Sequence, residues 1–220
     1  MKPSVPAWGT FFLGENENWI RRRIQKRIKP HACYQVELIV PVKGKALEGP
    51  VAGWNLFRLE SAEPFGFPLK SQSHPKVRVL QGVTKHLFYT SRHERRTLLQ
   101  RSCAEPVFSG QTLAVLIPIS KSPRWWQMAQ DERQSYFQTQ AGKEGHTAIG
   151  LRYADKIFRK LYHCRYSDAA APYDFLTYFE FHRSHTGDFR RLVDELRDPR
   201  RNPEWNYVAS EFEIWLNRTG

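Results

Sequence analysis

The stretch TLAVLIPISKSPRWWQMAQDERQSYFQTQAGKEGHTAIGLRYADKIFRKLYHC, residues 112–164, decides the fold. Its first eight residues, Thr112 to Ile119, form a β-rich apolar run short enough for a buried strand. Ser122 and Pro123 then supply an N-cap and a first-turn proline for a helix running through Trp125, Trp126, Ala129 and Arg133 towards Phe137. Gly142 and Gly145 interrupt it. A second helical piece carries His146 to Tyr153, and IFRKLYHC (157–164) returns to strand.

Working outward, DFLTYFE (174–180) is the next strand. Phe189, Leu192, Val193 and Leu196 fall at helical spacing, with Arg190, Arg191, Asp194 and Glu195 on the other face, until Asp198-Pro199 ends the helix. From Asn206 to Leu216 alternation puts Val208, Phe212, Ile214 and Leu216 on one side of a last strand, against Tyr207, Glu211 and Glu213. The order from 112 to 217 is βαββαβ, which predicts an α+β, ferredoxin-like unit: an antiparallel sheet with helices on one face. Such a fold by itself licenses no function.

Residues 1–110 read as a separate, strand-rich region and 111–220 as the ferredoxin-like domain. Strands are expected at Tyr34–Val42, Gly53–Glu60, Lys76–Leu80 and Lys85–Ser91, joined by Gly- and Pro-rich connections. A basic helix is expected over Asn18–Ile28, ended by Pro30. A polar, Arg-rich connection leads on to Gly110.

The 220 residues are 40 % hydrophobic and 14 % aromatic, a globular composition long enough to bury a core. No stretch approaches the ~20 apolar residues of a membrane span, and the N-terminus lacks an A-x-A-like cleavage site. Cys33, Cys103 and Cys164 are widely spaced, with no C-x-x-C pair, and read as reduced thiols of a cytoplasmic protein rather than a disulfide frame or zinc site. The net charge of +12 is concentrated early, with 13 Lys/Arg against 6 Asp/Glu in residues 1–80. The run Arg21 to Lys29 reads as a solvated helix face, a subunit contact or a docking helix for an acidic partner; no nucleic-acid motif accompanies it.

Four features of the opening stretch could carry chemistry. Alternation puts Ile157, Arg159, Leu161 and His163 on one face, so Arg159 sits between aliphatic neighbours and needs an anion or a carboxylate such as Glu180 or Glu211. His146 is isolated, with no partner at zinc-like spacing, whereas a haem needs only one protein ligand. Trp125 and Trp126 lie about 100° apart on a helix, so they cannot share one face. Lys121, one turn earlier, can reach a ligand carboxylate or simply solvate a helix start.

These residues resemble the chlorite dismutase family of haem proteins. KSPRWWQMAQDER is similar to that family's K-x-x-x-W-W segment and the acidic-Arg helix after it, RKLYH with DFLTYFE to its paired strands, and GVTKHLFY (82–89) to the segment that feeds the haem edge. The spacing of 13 between His146 and Arg159 equals the family's separation of axial histidine and distal arginine. The resemblance, over roughly residues 82–198, implies a dimeric α+β barrel type of fold with a divergent, partly degenerate N-terminal half.

It further implies haem b, with His146 as axial iron ligand, Arg159 as catalytic distal arginine, Lys121, Trp125 and Tyr89 at the propionates, and Trp126 as a buttress. The paired tryptophans and Arg159 favour conversion of chlorite to chloride and dioxygen over coproheme decarboxylation. The implied assembly is a homo-oligomer, a pentamer by resemblance. The alternative is a haem-binding relative without chlorite activity: peroxidase-like, porphyrin-handling or sensing. Three departures are visible, the first being that residues 1–81 match the complete N-terminal ferredoxin-like half of long family members poorly and lack one of its helices. About six extra residues, within QTQAGKEG, precede His146, and Asn202 stands where the family has the carboxylate that orients the axial histidine, leaving Glu204 as the candidate for that second-layer role.

Overall fold

The computed structural model describes residues 7–15, 31–47, 53–64, 77–84, 92–107, 109–140, 142–165 and 172–219. Eight strands, β1 (Trp8–Gly14), β2 (Ala32–Lys43), β3 (Asn55–Ser61), β4 (Val77–Val83), β5 (Thr112–Lys121), β6 (Phe158–His163), β7 (Phe175–His182) and β8 (Val208–Arg218), close into a barrel. Around it run β1-β3-β2-β8-β5-β7-β6-β4, and every neighbouring pair is antiparallel. The lateral order β4-β1-β3-β2 of the first half recurs as β8-β5-β7-β6 in the second. Strands from both sides of residue 110 therefore share one sheet.

Period-two alternation sorts the side chains into two layers. Phe11, Leu13, Tyr34, Leu56, Leu116, Tyr162, Tyr178, Phe212, Ile214 and Leu216 fill the barrel interior. Leu113, Val115, Ile117, Phe179, Phe181 and Trp215 face outward and are covered by helices. The chief cover is α5 (Thr186–Arg197), whose Phe189 stacks on Phe181 at 4.9 Å and meets Trp215 edge-on at 5.3 Å. Each such fully buried side chain contributes about 1.5–3 kcal/mol. This outer layer positions the site.

At the seam between β4 and β6 the described residues include one register pair, Val83 with His163. Side chains add to it. The Tyr162 ring lies against Gly9, where an added Cβ would come within 2.2 Å of it, so the seam requires glycine there.

Several expectations need correction. The Arg-rich connection contains helix α1 (Arg92–Arg101); HERRTLLQ offers too few apolar positions for a helical stripe to be read. Strand β1 has no counterpart among the expected strands, because GTFFLG lacks alternation, as befits a strand buried on both faces. The helix towards Phe137 is broken into α2 (Pro123–Gln127) and α3 (Gln130–Ser135): Met128 and Ala129 are extended, and the Glu132 carboxylate accepts the Ala129 N–H at 2.7 Å. Val208 joins the outer face rather than that of Phe212, because a β-bulge makes it the partner of Lys121. The expected helix 18–28 and strand 85–91 lie outside the described residues.

Candidate functional site

Between the outer face of β5, β7 and β8 and the helical cover lies a partly open cavity. Ile117, Ile119, Phe179, Val193, Leu196 and Val208 give it apolar walls, and Lys121, His146, Arg159, Arg197, Glu204 and Glu211 bring charge and chemistry to them. Among the described residues, the buried Thr177 Oγ1 and Asn202 Oδ1 on its wall have no hydrogen-bond partner.

His146 is the second residue of α4 (Gly145–Leu151). The extra residues before it fold back on themselves, with Gln140 and Lys143 exchanging backbone hydrogen bonds of 3.0 and 2.9 Å. The ends of that excursion are tied down: Thr147 N–H donates to Phe137 O and Gly145 N–H to Arg201 O, both at 3.2 Å. These two bonds fix the entry to α4 independently of the excursion.

The His146 ring meets Glu204, carried on a 3₁₀ turn (Pro203–Tyr207), with Nδ1 to Oε2 at 2.8 Å. Lys121 Nζ donates to the other oxygen of the same carboxylate, and the ammonium also sits over the Trp125 ring at 4.8 Å. Burial alone would raise the Glu204 pKa, but Lys121 and His146 outweigh it and hold the carboxyl well below the usual range. Being ionised, Glu204 can only accept, so Nδ1 carries the proton. Burial lowers the His146 pKa against the pull of Glu204, which keeps the imidazole neutral and leaves Nε2 as the ring nitrogen with a free lone pair.

Arg159 stands on β6, in register with Phe179 of β7, whose ring its guanidinium approaches at 5.9 Å. Neither carboxylate considered for it is its partner. Glu180 points into the barrel to Arg218, and Glu211 pairs with Arg197. Among the described residues Arg159 makes no ion pair and no hydrogen bond, although it lines the cavity. More than a third of its surface is open by area, yet it opens inward, and desolvation by the surrounding walls lowers its pKa, with Glu204 opposing.

The tryptophans divide the two faces of α2. Trp125 is buried against Tyr136, Phe137 and Tyr207 with ring centroids 5.6–6.0 Å apart, and Phe137 in turn packs on His146 at 5.5 Å. Trp126 is not on the cavity wall; it stacks on Phe175 and donates to Asp174 at 3.3 Å. Asp174, which no motif singles out, also accepts the Lys121 backbone N–H at 2.6 Å and so fixes the end of β5. Thr177 and Phe179 were legible in principle, since alternation along β7 puts them on one face. Tyr89 lies outside the described residues.

Fold and site together define an antiparallel eight-stranded barrel protein whose outer face carries an apolar cavity, with a carboxylate-bonded histidine and an arginine that is unpaired among the described residues. No protein-family model matches the chain. It is, however, 33 % identical to the dimeric chlorite dismutase of Nitrobacter winogradskyi, with a TM-score of 0.70 over 95 % of this chain and 99 % of that one. The chain belongs to the chlorite dismutase family. It is also 31 % identical over 116 residues to the chlorite dismutase of Ideonella dechloratans, a match spanning 52 % of this chain but only 36 % of that protein. A cyanide complex of a tryptophan variant of the Candidatus Nitrospira defluvii enzyme, 20 % identical with a TM-score of 0.66 over 97 % and 91 % of the two chains, shares the fold.

Proposed function

We propose that the cavity binds haem b through His146 Nε2 and that the protein decomposes chlorite to chloride and dioxygen. The observation that carries this reading is the chain Lys121–Glu204–His146, ending in a free imidazole nitrogen, in the same apolar cavity as an unpaired Arg159. The residues fit the group: aliphatic and aromatic walls suit a porphyrin face, a single imidazole suffices for the iron, and the unpartnered Thr177 and Asn202 oxygens mark a wall that is not self-satisfied.

When bound, haem supplies the redox-active iron at which the chlorine–oxygen bond is broken. The protein does the rest. Glu204 fixes the proton on Nδ1 and raises the basicity of Nε2, and Lys121 keeps that carboxylate ionised. Arg159, a permanent planar cation with no competing partner among the described residues, holds the anion through its reaction and retains the chlorine-bearing fragment. The net charge of +12 draws small anions towards the surface, an effect that weakens with salt. The expected homo-oligomer belongs to this reading; light scattering distinguishes a dimer, the state named for the Nitrobacter relative, from a pentamer.

The test is a haem titration followed by oxygen evolution from chlorite. A Soret band that His146→Ala abolishes, with turnover that Arg159→Ala lowers at least tenfold, is the expected result. Haem uptake without oxygen release favours a non-dismutating family member, and no uptake sinks the reading.

A further inference from the structure

The reaction site lies on the outer face of the sheet, but the barrel interior holds a second set of reactive groups that it does not use. Tyr34 and Tyr178 are essentially fully buried, with their phenol oxygens 2.5 Å apart. Tyr178 donates to Glu180 Oε2 at 2.6 Å. Because Tyr178 has one proton and spends it on Glu180, the proton between the two phenols belongs to Tyr34. Glu180 is in turn anchored by Arg218 at 2.6 Å, with Arg58 at 4.0 Å.

We infer that Tyr178 is a one-electron redox site: the electron goes to an oxidant, the phenolic proton to Glu180, and a neutral tyrosyl radical remains that accepts a hydrogen bond from Tyr34. Three observations carry it. An oxidised phenol is a strong acid and cannot persist in a buried site unless its proton has somewhere to go; an anchored carboxylate at 2.6 Å provides that place. The product radical keeps a hydrogen-bond donor at 2.5 Å, so no polar atom is orphaned by the change. The Arg58 guanidinium, 4.2 Å from the Tyr178 ring centroid, disfavours any positively charged form of the ring, and so favours electron and proton leaving together.

Position gives the site its use. Tyr178 lies between Thr177 and Phe179, both of which line the outer cavity, so only the thickness of one strand separates the phenol from it. Phe11 on β1 and Tyr162 extend the aromatic contacts within the barrel, with ring centroids at 5.4–6.2 Å. Oxidising equivalents stranded in the cavity, of the class produced by peroxide or oxychlorine anions, would be drawn into the barrel and away from the site. The identity of the cavity's occupant rests on the haem reading; the chemistry of Tyr178 does not.

The experiment therefore uses a photogenerated ruthenium tris-bipyridine oxidant with persulfate, on protein without haem, and follows the radical by freeze-quench electron paramagnetic resonance. We expect a tyrosyl signal whose formation slows in deuterium oxide. Tyr178→Phe should remove most of it. Tyr34→Phe, which keeps Tyr178 and Glu180, should leave the yield but shift the high-field g-value as the hydrogen bond is lost. An unchanged signal in folded Tyr178→Phe, or an unshifted g-value in Tyr34→Phe, overturns the inference. A parallel arm adds peroxide to haem-loaded protein. No Soret band there defeats the haem reading alone, whereas a Soret band with a radical insensitive to Tyr178→Phe defeats this one.

Discussion

His146 owes its chemistry to a carboxylate that stands 58 residues later in the chain, and Lys121 to the same carboxylate 83 residues on. Removing that carboxylate isolates a buried ammonium. Glu204→Ala is therefore expected to cost about 3–5 kcal/mol of stability, measured by urea denaturation without haem, whereas Lys121→Met together with Glu204→Leu should recover much of it. In haem titrations the milder Glu204→Gln should weaken binding about 10–100-fold while the fold persists. The residues were legible unequally. Alternation alone put Arg159 on the face that became the cavity wall, and the helical angle separated the two tryptophans correctly. The Lys121 contact was not readable, because it depends on where a 3₁₀ turn from the far end of the chain is laid across the barrel. Asp174 escaped for the same reason: its value lies in capping the backbone of a strand 53 residues away.

At the scale of elements, the entry to α4 decides whether His146 is presented at all. Gly145 adopts φ +76° in a place where a Cβ would fall 2.5 Å from Gln138 O, so both backbone conformation and space demand glycine. Gly142, at φ +77°, has nothing within 4 Å of its would-be Cβ. Two substitutions separate the effects. Gly142→Ala should cost only the left-handed strain, about 1–2 kcal/mol, with haem affinity retained. Gly145→Ala should cost more in thermal unfolding, and should also reduce haem binding, since the turn must open and carry His146 from Glu204. The sequence displayed both glycines as helix breakers but could not say which one was sterically committed. Elsewhere the second-half strands were readable because β6, β7 and β8 alternate between core and cover, while β1, buried on both faces, has no alternation to read. Helix α5 had the clearest stripe, and Phe189→Ala, which empties the contact among Phe179, Phe181 and Trp215, is expected to cost about 3–5 kcal/mol.

For the whole molecule, closure of the barrel depends on charge as well as on backbone pairing. Arg58, fully buried on β3, binds Glu105 of the connection between the halves at 2.6 Å and Glu60 on its own strand. Glu60 also takes Lys160 at 2.7 Å and Tyr162 at 2.8 Å, both from β6, and so ties β3 to β6 across the seam. Burial would raise both carboxyls, but Arg58, with Lys160 for Glu60 and His31 for Glu105, holds each at about 2. A carboxyl depressed on folding binds fewer protons in the native state than in the unfolded one. Its stabilisation is complete above the unfolded value near 4.5 and is lost as pH falls through about 2. For Glu60 the difference corresponds to about 3 kcal/mol. Because strands of both halves share one sheet, acid should unfold them together, in one transition with coincident near- and far-ultraviolet circular dichroism. Glu60→Gln should lower stability at neutral pH and flatten its decline between pH 4.5 and 2. Two separated transitions, or a variant whose decline matches the parent's, would mean that the seam is held by packing alone and that Glu60 merely accompanies it.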